Sequence, residues 1–124
     1  MAQKRSVLLV DDSKFARLLV KAFISSNFTD WEIDEAEDAD KALALVEDKT
    51  YDYLLLDFNM PGMDGLELGE KLRARFPDAV IALLTANIQQ EIQKKAESLG
   101  LDFIAKPPTE EKIRDYLAAQ EAAQ

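Results

Sequence analysis

Residues 53–65, YLLLDFNMPGMDG, constrain the fold of this chain more than any other stretch. Four apolar residues, Tyr53 to Leu56, run straight into a lone carboxylate, Asp57, and the chain then breaks at Asn59, Pro61, Gly62 and Gly65. A strand apolar on both faces belongs in a sheet covered on both sides, which is how parallel sheets are built. An acid at the carboxyl end of such a strand lies on the rim where open α/β sheets place ligands and chemistry.

The rest of the chain supplies matching elements. Val7-Leu8-Leu9-Val10, cut off by Asp11-Asp12, predicts a buried strand. From Ser13 on, Phe15, Leu18, Leu19 and Ala22 recur at helical spacing. They predict a helix that turns these residues inward and keeps Lys14, Arg17 and Lys21 in water. Trp31 and Ile33 alternate with Glu32 and Asp34, the pattern of a half-exposed edge strand. Asp38 predicts the cap of a second helix with the stripe Ala39, Ala42, Leu43 and Val46. Asp64-Gly65-Leu66-Glu67 fits a capping box opening a third, which carries Leu68, Leu72 and Phe76. Gly69 inside it is read as a close packing contact.

Residues 80–84 form another wholly apolar strand, stopping at Thr85. Asn87 with Gln90 predicts the start of a fourth helix with Ile88, Ile92, Ala96 and Leu99 inward, and Gly100 its stop. Phe103-Ile104-Ala105 is a short last strand ending at Lys106. Thr109 caps a final helix with Ile113, Tyr116 and Leu117 inward, and the AAQEAAQ tail is expected to fray. Five strands alternating with five helices predict a three-layer, doubly wound α/β fold around a parallel sheet. At 124 residues, without linker or repeat, the expectation is one domain over 1–124.

In such a sheet the residues just past the carboxyl end of each strand share one rim. They are Asp11 and Asp12, Asp57, Thr85 and Lys106. Three crowded carboxylates raise one another's pKa unless a cation intervenes. Hard oxygen ligands of this kind suit Mg²⁺, which takes one or two carboxylates and completes its shell with water and phosphate oxygens. A lysine beside the metal is a point charge for phosphate, and a threonine hydroxyl can donate to a phosphoryl oxygen. The set suits placing a phosphoryl group on a carboxylate. Each member also has a plain reading, as helix cap, loop acid, turn hydroxyl or solvated lysine. Their convergence on one rim is what favours function.

Composition removes several alternatives. A net charge of −9, from 24 acids against 15 bases, is the wrong sign for nucleic acid and disfavours anionic membranes. With no Cys there is neither a disulfide framework nor thiol chemistry, which suits the cytoplasm. The first apolar run stops at Asp11, too short for a signal peptide or a membrane span. The chain has no His, so a histidine phosphate carrier must come from a partner.

VLLVDDS, LLLDFNMPGMDG, ALLTA and FIAKP, in this order and spacing, resemble the receiver domain of two-component response regulators, in particular the stand-alone CheY-like type. The resemblance covers essentially the whole chain. It implies the flavodoxin-like strand order 2-1-3-4-5. It implies Asp57 as phospho-acceptor, Asp12 as direct Mg²⁺ ligand with Asp11 nearby, and Asn59 offering its backbone carbonyl to the metal. Thr85 and Lys106 would contact the phosphoryl group, Lys106-Pro107 would be cis, and Phe103 would turn inward when Thr85 moves. Two positions depart from the family's pattern: Phe103 stands where a Tyr is common, and Pro108 follows Pro107 where many relatives have an aromatic.

The function implied is a signalling switch rather than an enzyme with turnover. Asp57 would take a phosphoryl group from a sensor histidine kinase or phosphotransfer protein, changing a surface of helix four, strand five and helix five read by a partner protein. No output domain fits after Thr109. Chemotaxis, phosphorelay and phosphate-sink roles share this architecture. Two rivals remain: a binding module that keeps the fold without phosphorylation, and an aspartyl-phosphate hydrolase. The hydrolase reading is weakened by Asn59, which stands where such enzymes place an acid-base Asp.

Overall fold

The computed structural model describes residues 4–86 and 89–124. In chain order the elements are β1 (Ser6–Val10), α1 (Lys14–Asn27), β2 (Glu32–Ala36), α2 (Ala39–Asp48) and β3 (Tyr53–Asp57). They continue with α3 (Gly65–Arg75), β4 (Val80–Thr85), α4 (Gln90–Ser98), β5 (Asp102–Ala105) and α5 (Glu110–Ala122). The five strands pair in parallel in the order β2-β1-β3-β4-β5, with β2 at an edge as its alternating pattern predicts. None of the described helices is long and apolar enough to cross a membrane.

Alternation along the strands splits the core in two, because successive side chains leave opposite faces of a sheet. Leu8, Val10, Leu54, Leu56, Ile81 and Leu83 pack under α2, α3 and α4. Val7, Leu9, Tyr53, Leu55, Ala82 and Leu84 pack under α1 and α5. The same parity extends to the rim. Asp57 follows Tyr53 and Leu55 onto the α1/α5 face, while Thr85 follows Ile81 and Leu83 onto the opposite one.

Local signals place most helix starts. Ser13, Asp38, Asp64 and Thr109 each accept a hydrogen bond from the backbone N–H three residues on. At α3 the cap forms at 2.9 Å, without the return bond from the Glu67 side chain that a full capping box would add. α4 differs. It begins at Gln90, and Gln89 at its cap makes no side-chain bond. Asn87 and Ile88 lie outside the described residues. Gly100 ends α4 with φ of +73°, a conformation that glycine adopts without a Cβ clash. Gly69 is a packing contact, since a Cβ there would meet Leu101 Cδ1 at 2.8 Å.

Two expectations are overturned. The predicted inner stripe of α1 faces outward: Phe15 is 75% exposed, Leu18 48% and Leu19 38%, while Val20 and Ile24 are buried. Arg17, expected in water, is among the less exposed residues of α1. The helix carries two overlapping apolar stripes, and Ala16, Val20, Phe23 and Ile24 satisfy helical spacing as well as the outer set does. The tail also does not fray as expected, because α5 continues to Ala122. Glu121 holds it, accepting from Arg5 Nε at 3.0 Å and from the buried Tyr53 hydroxyl.

The inverted face of α1 can be checked directly. Ile24→Ala should cost about 2–5 kcal/mol through cavity formation. Phe15→Ser should stay within about 0.5 kcal/mol of the parent, as exposed substitutions do. Urea denaturation of both variants reads this, and the reverse order would mean that the sequence-predicted stripe is the buried one.

Candidate functional site

The carboxyl ends of β1 and β3, the loop after β3 and the segment after β5 meet in a cleft of about 550 Å³. Asp11, Asp12, Ser13, Asp57, Asn59 and Lys106 supply its polar lining. Ala16 and Val20 from α1, Leu84, and Pro107 with Pro108 make an apolar wall. Lys106-Pro107 is cis, as the resemblance implied.

Asp57 ends β3 with only 4% of its surface exposed. Its Oδ1 accepts from the Lys106 ammonium, and the Asn59 amide lies 3.4 Å from the same oxygen. The backbone beneath it is crowded. Gly65, the first residue of α3, approaches so closely that a Cβ there would lie 2.4 Å from the Asp57 carbonyl oxygen. Only a residue without a side chain lets α3 begin against the strand that carries the acid.

Asp11, Asp12 and Asp57 each bring one carboxylate oxygen within 4.8 Å of the others. Three negative groups face one ammonium, so the cluster is short of positive charge. Hard oxygen donors converging from two strand ends fit a small divalent cation such as Mg²⁺ better than a soft metal. Asp11 registers the strain. Burial pushes its carboxyl above the ordinary value; the Ser13 amide, which donates to its Oδ1 at 2.9 Å, pulls it down, and the Asp57 charge pushes it up again.

The structure thus brings four of the five predicted rim residues, Asp11, Asp12, Asp57 and Lys106, to one cleft together with Asn59. Thr85 ends β4 at 2% exposure and does not line it. Its strand parity puts its side chain on the α4 side, where Phe103 on β5 is half-buried against the same core. Leu83 and Phe103 are paired in register, so Thr85 and Phe103 share a face across neighbouring strands. Sequence reasoning also missed Arg17 and Glu35. Arg17 donates to the Asp11 carbonyl oxygen at 2.5 Å and, through Nε, to Glu35 of β2 at 3.0 Å. The alternative stripe Ala16, Val20 and Ile24 was the signal that would have turned Arg17 toward the site.

The raised pKa of Asp11 means that the folded state prefers its neutral form. The stability this preference contributes is present below the unfolded value of 3.8 and is lost as pH rises through the higher folded value. Asp11→Asn keeps an acceptor for the Ser13 amide and removes the charge. In the absence of divalent ions it should therefore raise Tm at pH 7, with the gain vanishing below pH 3.8. An unchanged or lower Tm at pH 7 would contradict this electrostatic account.

Comparison with known proteins identifies the family and the fold. The family model for the response regulator receiver domain matches residues 7–118. The chain is 34% identical over 116 residues to the chemotaxis protein CheY of Halobacterium salinarum, covering 92% of this chain and 94% of that one. It is 38% identical over 119 residues to the sensor protein EvgS of Escherichia coli K12, covering 95% of this chain. There it spans only 10% of the relative's length. The structure of Vibrio cholerae CheY4 superposes with a TM-score of 0.86 at 27% identity, over 94% of this chain and 98% of that chain. A CheY-like receiver domain from Methanospirillum hungatei shares the fold with a TM-score of 0.89 at 24% identity, over 98% and 96% of the two chains. Matched over nearly its whole length and carrying the acidic cleft at the strand ends, the chain belongs to the receiver-domain family of two-component response regulators.

Proposed function

We propose that the protein is a phosphorylation-dependent switch in which Asp57 is the phospho-acceptor. The observation that carries this reading is the Asp57 carboxylate: nearly buried, paired with Lys106, and within 4.8 Å of two further carboxylates at the mouth of a cleft. The donor is a phosphohistidine on a histidine kinase or phosphotransfer protein, the donor class of the receiver family, and the lack of His in this chain agrees with it. An Asp57 oxygen attacks phosphorus in line, the P–N bond breaks, and the imidazole leaves with its electron pair. Lys106 then follows the charge from the carboxylate to the phosphoryl oxygens. Asp11, Asp12, Asp57 and the Asn59 carbonyl are the residues that would hold Mg²⁺. When bound, the ion would offset the negative charge brought by the phosphoryl group. The exposed Phe15, Leu18 and Leu19 lie on the helix that walls the cleft and offer the donor an apolar footing.

Phosphorylation adds charge and acceptor oxygens at the rim. In our reading Thr85 is drawn toward them, and Phe103, on the same face of the sheet, fills the space it leaves. That biases a surface made by α4, β5 and α5 toward binding a partner protein. Phe103 has no phenolic hydroxyl, so the movement is set by packing rather than by a new hydrogen bond.

Incubation with Mg²⁺ and a small acyl phosphate should give one acyl-phosphate per chain, absent in Asp57→Asn, detected by intact mass. Multiple turnover of a phosphomonoester would support the hydrolase instead, and no modification at all would support a binding module. Lys106→Ala should still accept the phosphoryl group but lose the phosphorylation-dependent change in partner affinity. Normal signalling by that variant would remove Lys106 from the coupling.

A further inference from the structure

The role just proposed leaves one deeply set side chain without a part. Arg17 has 12% side-chain exposure, and its guanidinium spans two acceptors on different elements. Nε reaches Glu35 Oε1 at 3.0 Å, and Nη1 reaches the Asp11 carbonyl oxygen at 2.5 Å. The ammonium of Lys21 lies 3.5 Å from the second Glu35 oxygen, so that carboxylate is held from two sides. A planar, forked donor set can make such a bridge; a lysine ammonium can occupy one end of it.

The bridge closes around the acidic turn. The Asp11 N–H donates to the Ala36 carbonyl of β2 at 3.1 Å, and the Ser13 N–H donates to Asp11 Oδ1 at 2.9 Å. The Asp11 main chain is therefore tied to β2 twice, once directly and once through Arg17 and Glu35. Arg17 also lies beneath the cluster, lining a small pocket with Asp11 and Asp57. Like charges push Asp11 and Asp12 away from Asp57, and a main chain held on both sides resists that movement. Arg17 bonds to the Asp11 main chain and to Glu35, which lies outside the cluster, so its argued contribution to the cluster is geometric.

We propose that Arg17 is a positioning residue for the acidic cluster, clamping the Asp11 carbonyl against Glu35 so that Asp11 and Asp12 keep the spacing that holds Mg²⁺. The inference rests on the Mg²⁺ reading above. Arg17 touches neither the phosphoryl group nor the metal and acts through Asp11. Loss of outer-shell partners of this kind typically weakens metal affinity about 10- to 100-fold.

Calorimetric Mg²⁺ titrations of the parent, Arg17→Lys and Arg17→Met, each with a thermal melt, test it. Both variants are expected to bind Mg²⁺ about 10-fold or more weakly while still folded at the titration temperature. Should Arg17→Met fail to fold, the isocationic Arg17→Lys decides. A purely structural role would lower Tm and leave the Mg²⁺ dissociation constant of the folded protein unchanged, and that outcome overturns the proposal. A parent that shows no saturable Mg²⁺ binding overturns the metal reading and this inference together. A binding parent with unaltered variants overturns the inference alone.

Discussion

Repulsion among three carboxylates at one end of the sheet is the constraint to which the surrounding structure answers. Asp11, Asp12 and Asp57 lie close enough to share a cation, and Asp57 is almost wholly buried. Such a group is costly without partners. Lys106 pairs with Asp57 from the far side of the sheet order, and Ser13 donates to Asp11. Arg17 and Glu35 secure the main chain beneath. The Asp11 carboxyl is still raised above its ordinary value, chiefly by burial, with the Asp57 charge adding to it. A site left short of positive charge is one that gains from binding a divalent ion.

Parity of the strands connects this site to the rest of the molecule. Asp57 leaves the sheet on the α1/α5 face, which is why Ala16 and Val20 of α1 wall the cleft, while Phe15, Leu18 and Leu19 of the same helix are exposed. Thr85, one position beyond the Leu84 that pairs with Asp57, leaves on the other face with Phe103. Under the proposed function, events at Asp57 and a response at α4 and β5 belong to opposite sides of one sheet, joined at its rim. In the proposed reading, Thr85 is the residue able to pass a change from one side to the other.

Much of this was legible in the chain. The doubly apolar runs at Leu54 and Leu83 announced a covered parallel sheet, and the caps at Ser13, Asp38, Asp64 and Thr109 are local hydrogen bonds between near neighbours. The rim acids could be found because every parallel strand delivers its carboxyl end to the same edge. The inward face of α1 could not. Its two apolar stripes overlap in spacing, and the choice depends on contacts with Leu9, Leu55 and Ile113, which lie far away in sequence. The tail was misjudged for a related reason, since Glu121 finds Arg5 and Tyr53 only once the sheet is assembled.

The amino-acid sequence alone determined the order of elements, the parallel sheet and the identity of the rim residues. Those follow from periodicity and capping, which act over a few residues. Tertiary structure decided which face of α1 is buried, that Arg17 reaches under the acidic turn to Glu35, and that Thr85 stands behind the cleft rather than in it. These outcomes depend on the rotation of a helix about its axis and on strand register. Both are set by packing between segments distant in the chain, and local sequence leaves more than one choice open.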